Sequence, residues 1–259
     1  MKNNEKKIKL SVVIITFNEE NNIKRCIENI KDIADEIVIV DSFSTDRTKE
    51  ICSLYKEVKF IEHKFEGYTK QKNWAILQAT SNYVLSIDAD EIPDDILKKS
   101  IIKVKNNWGN PGYSMNRLTN YCGKWIKHCG WYPDVKLRLF DTNYGNWTGI
   151  NIHEEYKFFD KNIKAIKLEG NLLHYSYNSI SQHILQIDKF TNITSQEAFE
   201  KNKKTSLIGI FFRTYWKFFR DFFIKLGFKD GYYGFIICTL SSFATFLKYI
   251  KLKELYKHK

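Results

Sequence analysis

Asp88-Ala89-Asp90 sets two carboxylates one residue apart, directly after the apolar run Tyr83–Ile87. At the end of a strand both can turn toward one hard cation. Carboxylate oxygens suit Mg²⁺ or Mn²⁺, ions that keep positions open for substrate phosphates. Asp41 follows a second such run, Glu36–Val40. Ser44, Thr45 and Asp46 can all cap the helix expected next, so Asp41 reads as spare, able to accept hydrogen bonds from a nucleobase imide or a ribose. Asn18 and Glu19 stand after a third run, residues 8–16, as helix caps or as part of the same ligand site. The chain has neither G-x-G-x-x-G nor G-x-x-x-x-G-K-[ST], which excludes a dinucleotide fingerprint and a P-loop.

These residues need a scaffold that brings several strand ends together. Residues 8–16 are an almost continuous β-branched run, as in a strand buried on both faces, 36–40 read as a second buried strand, and 58–61 and 83–87 read as a third and a fourth strand. Helical spacing separates them: Ile23, Ile27 and Ile30, then a helix over about 46–55, then one over 68–79. The alternation predicts an α/β layer with a parallel sheet and right-handed crossovers, in which ligands bind at the carboxyl ends of the strands. From 112 to 177 short strands with Gly and aromatic residues are expected, and residues 179–200 read as a helix.

Composition narrows the classes. The 259 residues carry 43% hydrophobic and 27% charged side chains, which is globular. Five scattered cysteines (Cys26, Cys52, Cys122, Cys129, Cys238) predict no disulfide framework and a reducing compartment. Cys122, His128 and Cys129 lack a Cys-x-x-Cys pair and a fourth ligand, so zinc is not expected. The apolar run ending at Phe17 carries Lys9 and no small-residue cleavage site, unlike a secretory signal. His63 and His183 read as surface or structural. Trp125 and Trp131 can stack on a sugar face or belong to the core.

Charge is uneven. Residues 1–200 hold 28 Lys and Arg against 27 Asp and Glu, whereas residues 201–259 hold 13 against 3. The same tail has 16 aromatic residues. A body without a basic stripe argues against nucleic acid, and a basic aromatic tail predicts an anionic membrane surface as partner. Within 207–228, Arg213, Lys217, Arg220 and Lys225 are expected to form a basic face opposite an aromatic one, as in a helix lying in a membrane interface. Residues 231–247 lack charge but fall short of the roughly 20 residues a spanning helix needs. The expected division is a catalytic domain over 1–200 and a helical, amphipathic membrane-association tail over 201–259.

Three motifs, Ser11-Val-Val-Ile-Ile-Thr-Phe-Asn-Glu-Glu20, Val40-Asp-Ser-Phe-Ser-Thr-Asp46 and Ile87-Asp-Ala-Asp-Glu91, resemble those of the inverting family 2 glycosyltransferases of GT-A fold. Gly130-Trp-Tyr-Pro-Asp-Val-Lys-Leu-Arg-Leu-Phe140, Ile152-His-Glu154 and Leu173-His-Tyr-Ser176 are similar to the subgroup that adds glucose to the lipopolysaccharide inner core. The resemblance spans about residues 9–250. It implies that Thr16, Phe17, Asn18 and Glu19 line the nucleotide pocket and that Asp41 bonds the uracil or its ribose. It places Gln71, Lys72 and Asn73 near the nucleotide and its phosphates, and Asp88 at the donor ribose or a metal-bound water. Asp90 would ligate the metal, with His174 completing its shell. Glu154 would be the general base, with Glu155 and Asp134 as contenders. Phe43 departs from the family's usual Gly, so the turn after Asp41 is expected to differ.

The implied chemistry is a single displacement that inverts the anomeric centre. A Mg²⁺ or Mn²⁺ ion neutralises the leaving diphosphate, and a carboxylate takes the acceptor's proton. Arg117, Lys136 and Arg138 stand near these motifs, either on donor phosphate or an anionic acceptor, or as solvated charges. Trp131, Asp134 and Arg138 are the expected acceptor contacts. The donor is expected to be a UDP-hexose, glucose first, and the acceptor a lipopolysaccharide-core or other lipid-linked glycan, at the cytoplasmic face of the inner membrane. The alternatives are a transferase making a polyprenyl-phosphate sugar or another surface polysaccharide, and a non-catalytic membrane-bound scaffold of the same fold.

Overall fold

The computed structural model describes residues 7–149 and 154–257. The first half is β1 (Ser11–Thr16), α1 (Ile23–Ile30), β2 (Glu36–Asp41), α2 (Thr48–Ser53), β3 (Val58–Glu62), α3 (Tyr68–Ile76) and β4 (Tyr83–Asp88). Then come β5 (Glu91–Pro93), α4 (Asp95–Asn106), β6 (Gly112–Tyr121), β7 (Lys124–Ile126), β8 (Asp134–Asp141), β9 (Gly145–Thr148), β10 (Glu155–Phe158) and β11 (Ile166–Tyr177). Helices α5 (Ile180–Glu200), α6 (Leu207–Phe219) and α7 (Gly231–Lys257) close the chain.

The sheet runs β3-β2-β1-β4-β8-β6-β11-β5, with β7 on β6 and a separate β9–β10 hairpin. β3, β2, β1 and β4 are parallel, as the alternation predicts. β8 then pairs antiparallel with β4, Leu85 facing Leu139. The apolar runs of β1, β2 and β4 are almost wholly buried, with Val12, Ile14, Val38 and Ile39 showing no exposed surface, whereas no residue of the edge strand β3 is fully buried. Register sets the strand ends side by side, Thr16 opposite Asp41 and Ile15 opposite Asp88.

Local chemistry shortens the expected helices. Asp46 accepts from the Thr48 amide at 2.9 Å, so α2 starts at Thr48. The Glu19 carbonyl accepts from the amides of Asn22 and Ile23 in a turn, so α1 begins after it and the Glu19 side chain does not cap it. α4 is a helix the sequence reading leaves out. Asp94 caps it at the Leu97 amide (2.8 Å), and only Leu97 and Ile101 of its apolar residues are buried. Gly170, at φ 93°, is what lets β11 pass this turn: a Cβ there would lie 2.2 Å from the Leu97 nitrogen.

The chain packs as two compact units, residues 1–117 with 134–174, and residues 118–133 with 175–259. In the second unit α7 packs on both α5 and α6. Its core is Tyr121, Ile126, Cys129, Ile237 and Cys238, with Trp131 and Tyr177 against them. Buried His183 bonds the Tyr121 hydroxyl at 3.0 Å, a structural place. Trp131 stands edge-on to Tyr121 and Trp125 edge-on to Tyr175, so both tryptophans serve this packing. The His128 ring and the Cys129 thiol both turn to Asp230, and the five cysteines are free.

The C-terminal helices differ from expectation in two ways. α7 has 27 residues, longer than its uncharged stretch. With the turn before it, residues 227–257 are the one helix among the described residues long and apolar enough to cross a membrane by length and composition. On α6 and the π-helical turn after it, only Arg213 and Lys225 of the four expected cations are exposed, together with the aromatics. Phe211, Phe212, Tyr215 and Trp216 are exposed, while Lys217 and Arg220 pair with buried Asp221 at 2.6 and 2.9 Å.

Candidate active site

The first unit gathers the motif residues at the carboxyl ends of β1, β2 and β4. Thr16 donates to Asp41 across the register pair at 2.8 Å. Asp41 also accepts from the Ser44 amide at 2.7 Å and from the Ser44 hydroxyl. It is fully buried, so it is not the spare carboxylate expected; its oxygens tie the β2 turn to β1. Asn18, at φ 55°, accepts from the Thr45 amide and returns its own amide to Ser44, both at 2.8 Å. Phe43 takes φ 60°, so the bulky residue adopts the left-handed conformation. That conformation costs an L-residue about 1–2 kcal/mol, held here by the bonds around it. Phe17 and Phe43 are both exposed at this edge.

α3 lies next to the same ends. Gln71 is buried between Ser42 and His63, bonding them at 3.2 and 2.9 Å. Asn73 is engaged elsewhere than at a nucleotide: its amide bonds the backbone of Trp147 in both directions at 2.8 and 2.9 Å, fixing β9 to α3. Lys72 is only 2% exposed. Its ammonium reaches Asp88 at 2.9 Å and Glu154 at 3.3 Å, and sits 4.5 Å from the centre of the Trp147 ring.

A second buried cation completes this centre. Arg138, on β8, bonds Asp88 and Glu91 at 3.0 Å each. Arg117, on β6, joins Glu91 at 3.2 Å and Asp134 at 2.7 Å, and Lys136 meets Asp134 at 3.0 Å. Burial pushes the Asp88 carboxyl up, but Lys72 and Arg138 beside it more than offset this and hold it well below the usual carboxylate range. Buried Glu91 is likewise held low, chiefly by Arg138 and Arg117. Both therefore stabilise the fold fully near neutral pH, and that contribution fades as pH falls through and below the ordinary carboxylate range. Glu91, Trp147 and the pairing of Lys72 are the residues and roles sequence reasoning missed; Glu91 lies inside a quoted motif, yet its partners stand tens of residues away.

Asp90 turns the other way. β5 pairs with β11, His174 facing Glu91, and this sets His174 Nε2 3.1 Å from Asp90. Glu19 faces the same carboxylates: burial, with Asp90 and Asp88 nearby, pushes it up to about 7. A carboxylate beside an imidazole is a pair of ligands that a divalent cation takes. Asp88 does not join them, both its oxygens being held by Lys72 and Arg138. Among the described residues no three His, Cys, Asp or Glu side chains form a ready cation cage. The expected set Asp88, Asp90 and His174 thus reduces to the Asp90–His174 pair.

Of the contenders for a base, Asp134 is held between Arg117 and Lys136, and its carboxyl, pushed up by burial, is brought below its usual value by them. Glu155 is exposed on β10 and paired with Lys157 at 2.6 Å. Glu154 is half-buried against Lys72. Ile152 and His153 of the same motif lie outside the described residues. Asp88, Ser114, Arg117, Lys136, Arg138, Trp147 and Glu154 line a cavity of about 420 Å³. Trp131, expected at the acceptor, belongs instead to the core of the second unit.

A mixed sheet whose parallel half ends in acidic residues, next to a polar cavity, defines an α/β enzyme that works at its strand ends. Residues 11–159 match the glycosyl transferase family 2 model, and the chain belongs to that family. It is a glycosyltransferase with the GT-A fold expected of it. An uncharacterized glycosyltransferase of Rickettsia typhi is 30% identical over 259 residues, covering 95% of this chain and 87% of the relative. The lipopolysaccharide core biosynthesis glycosyltransferase LpsC of Rhizobium meliloti is 27% identical over 258 residues, covering 96% and 93%. Among solved structures, S. aureus TarS 1–349 in complex with UDP is similar at TM-score 0.46 and 16% identity, over 97% of this chain and 92% of that one.

The geometry makes Glu91 the anion that a buried guanidinium, Arg138, and a half-buried one, Arg117, share. Removing one partner of such a cluster leaves uncompensated charge, a loss of about 3–5 kcal/mol. Glu91→Gln should lower unfolding free energy by that amount in denaturant melts, while Glu155→Gln on the surface should shift it by less than about 0.5 kcal/mol. Equal stability of the two variants would remove the ion cluster from its supporting place.

Proposed function

We propose that this glycosyltransferase moves a hexose, glucose first, from a UDP-sugar to a lipid-linked glycan such as a lipopolysaccharide core, with inversion. The observation that carries the reading is the Glu154–Lys72–Asp88 chain, which links a candidate base to the donor-side strand ends through one buried cation. Family membership and the LpsC relative support the reaction class and the lipopolysaccharide acceptor.

Thr16, Phe17, Asn18 and Gln71 surround the nucleotide end, and exposed Phe17 offers a ring for the base. Asp41 acts by fixing the turn that shapes this pocket. Asp90 and His174 hold Mg²⁺ or Mn²⁺, whose charge offsets the diphosphate when the ion is bound. Glu154 accepts the acceptor hydroxyl's proton as that oxygen attacks the anomeric carbon. Lys72 orients the Glu154 carboxylate while no substrate is present. Because the displacement is direct, the protein supplies no nucleophile.

The C-terminal helices support a membrane location for this activity. Ile208 is 84% exposed and Phe212 and Tyr215 are 68% exposed, an apolar face that water disfavours and an interface accepts. With 13 Lys and Arg against 3 acids in the tail, an anionic leaflet, the cytoplasmic one, is the matching surface.

Two measurements test the reading. A panel of UDP- and GDP-sugars scored by nucleotide release should single out a UDP-hexose, and Glu154→Gln should cut turnover by roughly 10²–10⁴ with little change in donor KM. An unchanged rate, or a dead Glu155→Gln in its place, would overturn the base. Binding to anionic vesicles should weaken with salt yet keep a remainder that salt does not remove, the aromatic share. Full-length protein that ignores such vesicles at low salt would refute the membrane assignment.

A further inference from the structure

Residues 227–257 have the length and composition of a membrane span, yet α7 is engaged with protein along its course. Near its start, Ile237 and Cys238 are buried in the core they form with Tyr121, Ile126 and Cys129, and Tyr233 and Ile236 pack against the same cluster. In its middle, the Ser242 hydroxyl donates to the Thr214 carbonyl of α6 at 2.7 Å. Toward its end, Lys251 donates to Asp188 and Thr191 of α5 at 2.7 and 2.9 Å, and the Tyr256 ring lies 4.7 Å from that of Phe199. α5 thus accompanies α7, and α5 exposes Asp188, Lys189 and Glu200. α7 can cross a bilayer only by shedding these contacts or by drawing charged side chains to bilayer depth, where each is costly.

α6 is the opposite case. Ile208, Phe211, Phe212, Tyr215 and Trp216 recur at helical spacing on one face, and all are exposed. Ile210, off that face, is buried, and Thr214 is the residue tied to α7. α6 has only 13 residues, and Arg213, Lys217, Arg220 and Asp221 punctuate it and the turn after it, so this stretch does not span either. An apolar stripe on one side of a short helix fits the plane of a single leaflet. Charge selects that occupant over a second copy of the chain. From 201 to 230 the exposed ionised side chains are Lys201, Lys203, Lys204, Arg213, Lys225 and Lys229, while both acids of the stretch, Asp221 and Asp230, are buried. A second copy brings the same cations toward this face, whereas anionic headgroups neutralise them.

We infer that the chain is held at an anionic bilayer through α6, which lies in the plane of one leaflet with its Ile208–Trp216 stripe among the acyl chains, and that α7 does not cross the bilayer but serves as the protein surface on which α6 rests. This placement rests on the membrane location proposed above and assigns it an inserted face and a topology. Arg213, whose guanidinium lies 5.4 Å from the centre of the Tyr249 ring of α7, borders the stripe and can keep its charge among the headgroups while its stem stays apolar.

The test uses full-length protein and vesicles of phosphatidylcholine and phosphatidylglycerol in equal parts. With bromine on the acyl chains, the lipid should quench tryptophan fluorescence, and Trp216→Phe should remove most of that quenching. A triple variant, Phe211→Ser with Phe212→Ser and Tyr215→Ser, should melt like wild type. Its partition into the vesicles at high salt should fall about tenfold or more, the scale of withdrawing one large apolar side chain from lipid. Lys257→Cys on vesicle-bound protein should react with a membrane-impermeant maleimide to the same extent before and after detergent opens the vesicles, wild type giving the background of the native thiols. Labelling that needs detergent would show that α7 spans. Quenching that survives Trp216→Phe, or a triple variant that partitions like wild type, would show that another face inserts. Each of these results overturns the in-plane placement and leaves the membrane location standing. Wild type that ignores the vesicles overturns both, and a dimer that the triple variant then dissolves would make the α6 face a contact between two copies.

Discussion

The first unit turns on an alternation of charge: Glu154, Lys72, Asp88, Arg138, Glu91, Arg117 and Asp134, each within about ion-pair distance of the next. Lys72, Arg138 and Glu91 within it are buried from water, so each of these depends on its neighbours, and taking out one leaves a charge that the interior cannot solvate. The chain of charge is also a map of the fold. It starts beside β10, passes through α3, crosses the end of β4 and finishes on β8 and β6. A site of this kind needs an antiparallel strand next to the parallel half, because only β8 can carry a guanidinium back to the carboxyl end of β4.

This arrangement separates the two acidic residues that the spacing joins. Asp88 anchors cations, and Asp90 faces His174 and Glu19. One small residue between them, Ala89 at 3% exposure, lets the backbone send the two side chains to different partners. The separation gives the two carboxylates different surroundings. Asp88 is neutralised by fixed protein charge, and Asp90 meets the His174 imidazole.

What the sequence makes legible follows the range of the interaction. Four strands, three helices between them and the acidic strand ends are local patterns, and they are where the spacing puts them. The family motifs point to the same edge of the sheet. The rest depends on register between segments far apart. Nothing local says that Lys72 meets Glu154, that Asn73 holds the backbone of β9, or that Arg138 reaches Asp88 fifty residues away. Asp41 reads as spare because three other residues can cap α2; in the folded chain Ser44 turns back to Asp41 instead. On the tail, counting charges predicts a basic face, but Asp221 draws Lys217 and Arg220 to itself and leaves the aromatics outward. Trp131 carries a motif's signature and still belongs to a core, which composition alone cannot separate from a sugar platform.

The Lys72–Glu154 ion pair is the link on which the proposed mechanism depends. A double-mutant cycle on turnover of the full-length protein measures that link: Lys72→Met, Glu154→Gln and the pair together, each with its fold checked by thermal melting. If Lys72 works by holding the base, the double variant loses much less than the two single losses combined, with a coupling of about 1 kcal/mol or more, within the range for residues in one charge network. Losses that simply add would show that Lys72 and Glu154 act independently, and would contradict the ionic chain as the organising feature of this site.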